Sequence, residues 1–193
     1  MCIRDRTSKG MLKNGTKLPL WGKNYSSYSY GLSLIGRTYV HSKVRDILIE
    51  AYRNLEKVTP GIQFKYGETG FKEGGEFKPH KTHQNGLSVD LMVPVVGLTS
   101  NIPEPLKTHV LNKWGYDIDF DKNGKNKIQK IDFDSLGKLI VEIHKVVKKQ
   151  NVEIWRIIFA PRLQDELYKT TSCLLYTSPS PRDATLSRMP SSA

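Results

Sequence analysis

The sequence predicts an α+β fold with a small, mostly antiparallel sheet flanked by helices. Apolar residues recur at helical spacing over residues 42–57 and 135–150, and they alternate at strand spacing over residues 62–66 and 87–93. These segments do not follow a regular β-α-β alternation, which favours an α+β fold over a doubly wound parallel sheet.

The two ends of the chain are interpreted as translated sequencing adapter. Residues 1–6 can be encoded by ATG TGT ATA AGA GAC AG and one more base, and residues 173–178 by TGT CTC TTA TAC ACA TCT, which contains the inverse complement of that first string. We identify both as the transposon mosaic end used in sequencing libraries. We therefore set aside residues 1–6 and 172–193 and assign residues 7–171 to one domain, cut at both ends. The alternative for the second end is a disordered tail rich in Ser and Pro.

Composition limits what this domain can be. About 165 residues are enough for one domain with a real core. Both cysteines, Cys2 and Cys173, lie in the adapter, so the domain has neither a disulfide nor a thiolate metal site. Without the adapter, 26 basic and 17 acidic residues remain, a net charge of +9 that favours an anionic partner without choosing among nucleic acid, acidic lipid and wall polymer. No apolar run approaches the length of a membrane span.

The first helix is predicted over residues 42–57. Its core face is a single stripe formed by Val44, Ile47, Leu48, Ala51, Tyr52 and Leu55. Ser42 is the expected N-cap, and Thr-Pro-Gly at residues 59–61 is expected to end the helix. Residues 7–36 carry no sustained periodicity and are expected to be irregular.

Strands are predicted over residues 62–66, 87–93 and 116–120. The glycine-rich residues 67–86 are predicted to form a long loop, which in a compact domain is usually functional. In the strand over 87–93, alternation places Leu87, Val89, Leu91 and Val93 on one face. The opposite face then carries Ser88, Asp90 and Met92.

The C-terminal part predicts a second helix, a strand and a short helix. The second helix covers residues 135–150, with Asp134 as its expected cap. Its core face is formed by Leu136, Leu139, Ile140, Ile143 and Val147. A buried strand is predicted over residues 152–160, and Pro161 is expected to open a short helix that ends near Tyr168.

Two histidines and an aspartate are the candidate metal ligands. His80 and His83 lie in the glycine-rich loop, and Asp90 follows on the polar face of the next strand. Zinc accepts imidazole nitrogen and carboxylate oxygen, and catalytic zinc sites use three protein ligands. A solvated or hydrogen-bonded side chain is the alternative interpretation at each position. The remaining histidines are interpreted as structural: His41, His109 and His144.

Several motifs resemble the signature of the penicillin-insensitive murein endopeptidases. They are Gly-Glu-Thr-Gly at 67–70, Gly-Gly-Glu-Phe at 74–77 and His-Lys-Thr-His-Gln-Asn-Gly-Leu-Ser-Val-Asp-Leu at 80–91. That family belongs with the D-alanyl-D-alanine dipeptidases, lysostaphin-like peptidases and hedgehog domains, which share an H-x6-D pair and a later H-x-H. The resemblance covers residues 36–94 and, more loosely, residues 135–168.

The resemblance implies a hedgehog/DD-peptidase-like fold and a zinc metalloendopeptidase that cuts peptide crosslinks of peptidoglycan. It implies that His83 and Asp90 bind the catalytic Zn2+, and that His80 belongs to the same cluster as a ligand of that ion or of a second one. Ser88 departs from the family, which usually has an acid there, and this departure is expected to weaken metal binding or its support. Beyond residue 90, the family's other metal positions are not placed, and the carboxylates considered for them, without a choice among them, are Asp117, Asp119, Asp132 and Asp134.

No H-x-H motif follows residue 90. In the family, its last histidine is the third zinc ligand and its first acts as general base or stabiliser. We expect this motif beyond residue 171, in the part of the gene that the adapter replaces. No catalytic residue is therefore assigned within the chain, and the fragment is expected to be inactive.

The expected partner of the intact protein is a peptidoglycan peptide, with no nucleic acid, in the periplasm or cell wall. This expectation follows from the resemblance, since no targeting signal is visible. Two alternatives remain open: a non-catalytic cell-wall or protein-binding domain of the same fold, and a metal-dependent nuclease, which the net charge of +9 would suit.

Overall fold

The computed structural model describes residues 10–80 and 82–170, and within them it confirms an α+β fold. The interpretation of residues 1–6 and 172–193 as adapter lies outside these described residues. The α-helices are α1 Tyr30–Leu34, α2 Ser42–Leu55, α3 Phe133–Lys149 and α4 Pro161–Tyr168. The strands are β1 Thr16–Lys17, β2 Tyr25–Ser27, β3 Tyr39–Val40, β4 Phe64–Tyr66, β5 Leu91–Met92, β6 Val95–Gly97, β7 Pro103–Glu104 and β8 Gln129–Ile131. None of the described helices is long and apolar enough to cross a membrane.

The strands form three small sheets in place of the single sheet expected. Their orders are β1-β3, β2-β4-β5 and β7-β6-β8. The pairing of β2 with β4 is parallel, whereas the other four pairings are antiparallel, so the mostly antiparallel character is confirmed. The sheet β2-β4-β5 positions the candidate ligands, because Asp90 directly precedes β5 and the glycine-rich loop directly follows β4.

The two long helices pack against each other and cover this sheet. Tyr52 and Leu55 of α2 lie in one buried cluster with Leu139 of α3 and Phe64 of β4. A second cluster joins Ile47 and Ala51 of α2 to Val146 and Val147 of α3. The apolar stripes predicted from helical periodicity are thus the faces that meet in the core.

The predicted caps of both long helices are wrong by one or two residues. His41 caps α2, where its Nδ1 accepts a hydrogen bond from the Lys43 amide at 3.2 Å. Asp132 caps α3 and accepts from the Ser135 amide at 3.1 Å. Ser42 and Asp134 instead lie inside the helices, because the capping residue needs the non-helical backbone that His41 and Asp132 adopt.

Two predicted strands are shorter than expected and two do not form. The strand over 62–66 is reduced to Phe64–Tyr66, and the one over 87–93 is reduced to Leu91–Met92. In the latter, Leu87 is exposed and Met92 is buried, which reverses the expected faces at these two positions. Residues 116–120 form no strand and follow an irregular 3-10 turn at Val110–Gly115.

Residues 152–160 also form no strand. None of the backbone amides of residues 153–159 donates to another backbone group within the described ranges, and Trp155 and Ile158 are 77% and 82% exposed. Branched and aromatic residues favour a strand only where a neighbouring strand supplies backbone partners and side-chain contacts. The described chain places no such partner beside this segment. The helix predicted after Pro161 is confirmed as α4.

The core between α2 and α3 generates a stability prediction. Leu55 is fully buried, so Leu55→Ala is expected to lower the free energy of unfolding by about 2–5 kcal/mol through lost burial and the cavity left behind. Leu111 is 88% exposed, and Leu111→Ala is the matched control, expected to change stability by less than about 0.5 kcal/mol. Urea denaturation of both variants measures the difference. Equal effects of the two substitutions would contradict this packing.

Candidate metal centre

The three predicted ligands meet at one point of the structure. His83 Nε2 lies 3.2 Å from Asp90 Oδ1, and His80 Nδ1 lies 4.0 Å from Asp90 Oδ2. One ligand atom from each of the three residues lies within 4.8 Å of the other two. The structure therefore brings together all the residues that the sequence analysis singled out as metal ligands.

The cluster is buried on one side and open on the other. His83 is 2% exposed, whereas the side chains of His80 and Asp90 are 26% and 31% exposed. Phe77, which is fully buried, backs the cluster with its ring centroid 5.6 Å from that of His83. An ion held here would be reached by solvent or substrate from the His80 and Asp90 side.

Residues 67–70, which begin the glycine-rich loop after β4, hold the cluster in place. On one side, the Gly67 amide donates to the Asp90 carbonyl at 2.6 Å, and the Asp90 amide donates to the Glu68 carbonyl at 3.1 Å. On the other side, the Thr69 amide donates to the Arg37 carbonyl at 3.2 Å. We refer to residues 67–70 as the central segment. Its backbone joins the start of β5 to the residues before β3.

Glycine is required at both ends of the central segment. A Cβ atom at Gly67 would lie 2.9 Å from the Cβ of Asp90 and 2.8 Å from the hydroxyl of Tyr116. Gly70 has φ +145°, and a Cβ there would lie 2.6 Å from the carbonyl oxygen of His83. These two glycines let the segment approach both the aspartate and the buried histidine closely.

The backbone fixes the orientation of the buried His83 ring. Its Nδ1 lies 3.3 Å from the carbonyl oxygen of Thr69. A carbonyl oxygen only accepts hydrogen bonds, so Nδ1 carries a proton and Nε2 faces Asp90. Metal-binding histidines are commonly oriented in this way, by donating the other ring N–H to a carbonyl or carboxylate.

Glu68 contacts the cluster and was not singled out by the sequence analysis. It is 6% exposed, and its Oε1 accepts from the Tyr28 hydroxyl at 2.9 Å and from Arg37 Nε at 2.5 Å. Its Oε2 lies 2.9 Å from Nε2 of His80. The hydrogen bond from Arg37 to Glu68 raises the pKa of the guanidinium above its ordinary value, against the effect of burial. The buried charge on Glu68 is thus matched by Arg37 and shared with His80.

Tyr116 is the second residue that was missed. Its hydroxyl donates to Asp90 Oδ2 at 2.6 Å and accepts from the Glu68 amide at 3.0 Å. Burial, followed by the charge of Asp90, raises the pKa of Tyr116 above its ordinary value, so the group stays protonated and donates. No periodicity or motif signals this role, because Tyr116 reaches the cluster from a turn 26 residues after Asp90.

The His83–Asp90 pair shifts the pKa of each partner. Burial acts to lower the pKa of His83, but the hydrogen bond and charge of Asp90 outweigh it and the pKa lies above the ordinary 6.5. Burial acts to raise the pKa of Asp90, but the hydrogen bond and charge of His83 outweigh it and the pKa lies below the ordinary 3.8. Below the folded-state pKa of His83, the metal-free pair is therefore an ion pair, and a metal ion would take the place of the proton on Nε2.

The donor set fits a zinc ion. Ligand atoms at 2.0–2.2 Å from a tetrahedral ion lie about 3.4 Å apart. The 3.2 Å between His83 Nε2 and Asp90 Oδ1 matches that spacing, and one ligand atom of each of the three residues lies within 4.8 Å of the other two. Both imidazoles bind an acceptor through one nitrogen and direct the other at the cluster.

The four carboxylates considered for the family's other metal positions lie outside this cluster and have other partners. Asp117 pairs with Lys113, and Asp134 pairs with Lys138. Asp119 contacts Arg162, and Asp132 caps α3. Within the described residues, the one group of three or more metal-binding side chains is His80, His83 and Asp90.

The ion pair predicts how the stability of the metal-free protein depends on pH. A raised pKa at His83 gives stabilisation that is complete below pH 6.5 and is lost as the pH rises through the folded-state pKa. A lowered pKa at Asp90 gives stabilisation that is present above pH 3.8 and is lost as the pH falls through the folded-state pKa. The contribution of the pair is therefore expected to be greatest between about pH 4 and pH 6.5.

Urea denaturation from pH 3 to pH 9, in the presence of a chelator, measures this contribution. The reference is the His83→Gln/Asp90→Asn double variant, which keeps similar volumes and removes both titrating groups. The stability difference between the two proteins should peak within the stated window. A difference that does not vary with pH would contradict the ion pair.

Comparison with known proteins finds no protein-family model that matches the chain. It also finds no match among curated proteins. The resemblance to the murein endopeptidases therefore stays a prediction from the motifs, neither supported nor refuted by these comparisons. The geometry of His80, His83, Asp90 and the groups that orient them is what indicates a function for this chain.

Proposed function

We propose that this chain is the metal-binding part of a zinc metalloendopeptidase that hydrolyses peptide crosslinks of peptidoglycan. The observation that carries the proposal is the convergence of His80, His83 and Asp90 within 4.8 Å, in a site open to solvent on one side. The reaction class comes from the donor set, because two imidazoles and one carboxylate are typical ligands of catalytic zinc. The peptidoglycan substrate and the hedgehog/DD-peptidase-like fold come from the resemblance alone.

The residues of the site have separable roles in this proposal. Zinc, when bound, supplies a Lewis acid for a peptide carbonyl and lowers the pKa of water towards neutrality. Thr69 and Glu68 orient the two histidines, and Tyr116 holds the carboxylate of Asp90. The hydroxyl of Tyr116 donates to Oδ2, which leaves Oδ1, beside His83, as the oxygen that would bind the ion.

The group that moves the proton is not identified among the described side chains. Glu68 is engaged by Tyr28 and Arg37, and His41 and His109 lie at the starts of helices outside the cluster. A peptidase of this kind needs a general base within hydrogen-bond reach of the attacking water. We expect the H-x-H motif of the resembled family to supply that base. The sequence contains no H-x-H after residue 90.

The chain is expected to bind one Zn2+ per molecule. His83→Ala and Asp90→Asn should each weaken binding by more than about 100-fold, because changing an outer partner of a zinc ligand already costs 10- to 100-fold. The matched control is His109→Asn, which changes a histidine outside the cluster and keeps a side chain favoured at helix starts. Titration calorimetry of the metal-free proteins measures the affinities. Wild-type affinity in the His83 and Asp90 variants would overturn the assignment of these ligands.

The activity is tested with the uninterrupted reading frame past residue 171. We expect it to encode H-x-H, and we expect its product to cleave crosslinked muropeptides in a reaction that a chelator stops. The chain ending at residue 171 is expected to bind zinc without turnover, since no proton-transfer group is identified among its described side chains. Robust zinc-dependent cleavage by the short chain would contradict this assignment of roles.

The same preparations separate the two alternatives. A reading frame without H-x-H, together with wall binding and no cleavage, would favour a non-catalytic domain. Metal-dependent DNA cleavage, with binding that weakens steeply as salt is added, would favour the nuclease.

A further inference from the structure

The carboxylate of Glu68 is buried beside the metal cluster but is too far inside to be counted among its ligands. Its side chain is 7% exposed, against 31% for Asp90. A buried carboxylate needs a counter-charge and hydrogen-bond donors to offset its lost hydration. Arg37, whose side chain is 18% exposed, supplies the charge, and Tyr28 supplies a neutral donor to the same oxygen, Oε1. The second oxygen, Oε2, is left for His80.

The contact with Oε2 determines which nitrogen of His80 is available to a metal. An ionised carboxylate accepts hydrogen bonds and donates none, so the nitrogen 2.9 Å from Oε2 must carry a proton. That nitrogen is Nε2. In the neutral ring, the lone pair is then on Nδ1, which is the atom that faces Asp90 at 4.0 Å.

His83 is held in the opposite tautomer by Thr69, the residue that follows Glu68 in the chain. Its Nδ1 donates to the carbonyl oxygen of Thr69, and its Nε2 faces Asp90. Glu68 and Thr69 are adjacent in the central segment, so two consecutive residues orient the two rings. One acts through its side chain and the other through its backbone. As a result, different nitrogens of the two rings converge on the same point.

We propose that Glu68 is a positioning residue of the metal centre, which fixes His80 as the Nε2–H tautomer and directs its Nδ1 lone pair at the site shared with His83 and Asp90. This inference rests on the proposed metal site for its consequence, but the tautomer is a property of the metal-free protein. Loss of the carboxylate should leave the His83 ring unchanged, because Thr69 orients that ring through its backbone.

The first experiment measures both tautomers in the wild-type, metal-free chain. Long-range proton–nitrogen spectra at alkaline pH distinguish a protonated ring nitrogen from one with a free lone pair. The expected result is a protonated Nε2 in His80 and a protonated Nδ1 in His83. A His80 ring protonated at Nδ1 would overturn the inference, whatever the protein binds.

The second experiment replaces Glu68 by Gln, whose amide can donate as well as accept. The His80 nitrogen shifts are expected to move towards an average of the two tautomers, and the dissociation constant for Zn2+ is expected to rise by about 10- to 100-fold. The His83 shifts should stay at their wild-type values. The matched control is Glu76→Gln, which removes an exposed carboxylate of the same loop and should change neither measurement. Unchanged His80 shifts and unchanged zinc affinity in folded Glu68→Gln would overturn the inference.

The single variant leaves the Arg37 charge buried without its partner, which can unfold the chain. The Arg37→Gln/Glu68→Gln double variant removes both charges. Its His80 nitrogen shifts are expected to move, and its dissociation constant for Zn2+ to rise, as in the single variant. A chain that binds no zinc in its wild-type form would refute the proposed function. The tautomer of its His80 would still decide the role of Glu68.

Discussion

The double hydrogen bonding of residues 67–70 is the constraint on which the rest of the site depends. This central segment joins Arg37 on one side to Asp90 on the other, so the histidine loop that follows must begin between them. Because Gly67 and Gly70 have no side chains, both approaches can be close enough for backbone hydrogen bonds. A loop rich in glycine loses much conformational entropy on folding, and these backbone hydrogen bonds help to offset that cost.

The arrangement of charges in the site follows from the position of the central segment. The segment carries Glu68 into the interior, where Arg37 has to accompany it. A buried ion pair of this kind adds little net stability, whereas removing one partner costs about 3–5 kcal/mol. The pair is therefore better understood as a device for specificity than as a source of stability. It holds one carboxylate in a fixed position beside His80, and the charge of that carboxylate is neutralised before any metal ion arrives.

Periodicity was sufficient for the long helices, and residue type and spacing were sufficient for the candidate ligands, but neither was sufficient for the parts that depend on distant partners. The stripe over α2 and the one over α3 were correct because each face meets the other in the core. His80, His83 and Asp90 were found because they lie within one short stretch of chain. Tyr116 could not be found in this way, since its hydroxyl reaches Asp90 only through an irregular turn. The prediction of a strand over 152–160 was wrong for a related reason, because strand propensity does not supply a partner strand.

The unpaired residues 152–160 also affect how the chain behaves in solution. Trp155, Ile157 and Ile158 present apolar surface next to backbone amides that have no backbone acceptor within the described ranges. Exposed stretches of this composition are templates for pairing between molecules, and the usual safeguard is a charged residue within or beside them. Arg156 provides such a charge, with its guanidinium 4.6 Å from the Trp155 ring centroid. Neutralising that arginine would remove a barrier to self-association at a place remote from the metal ligands in sequence.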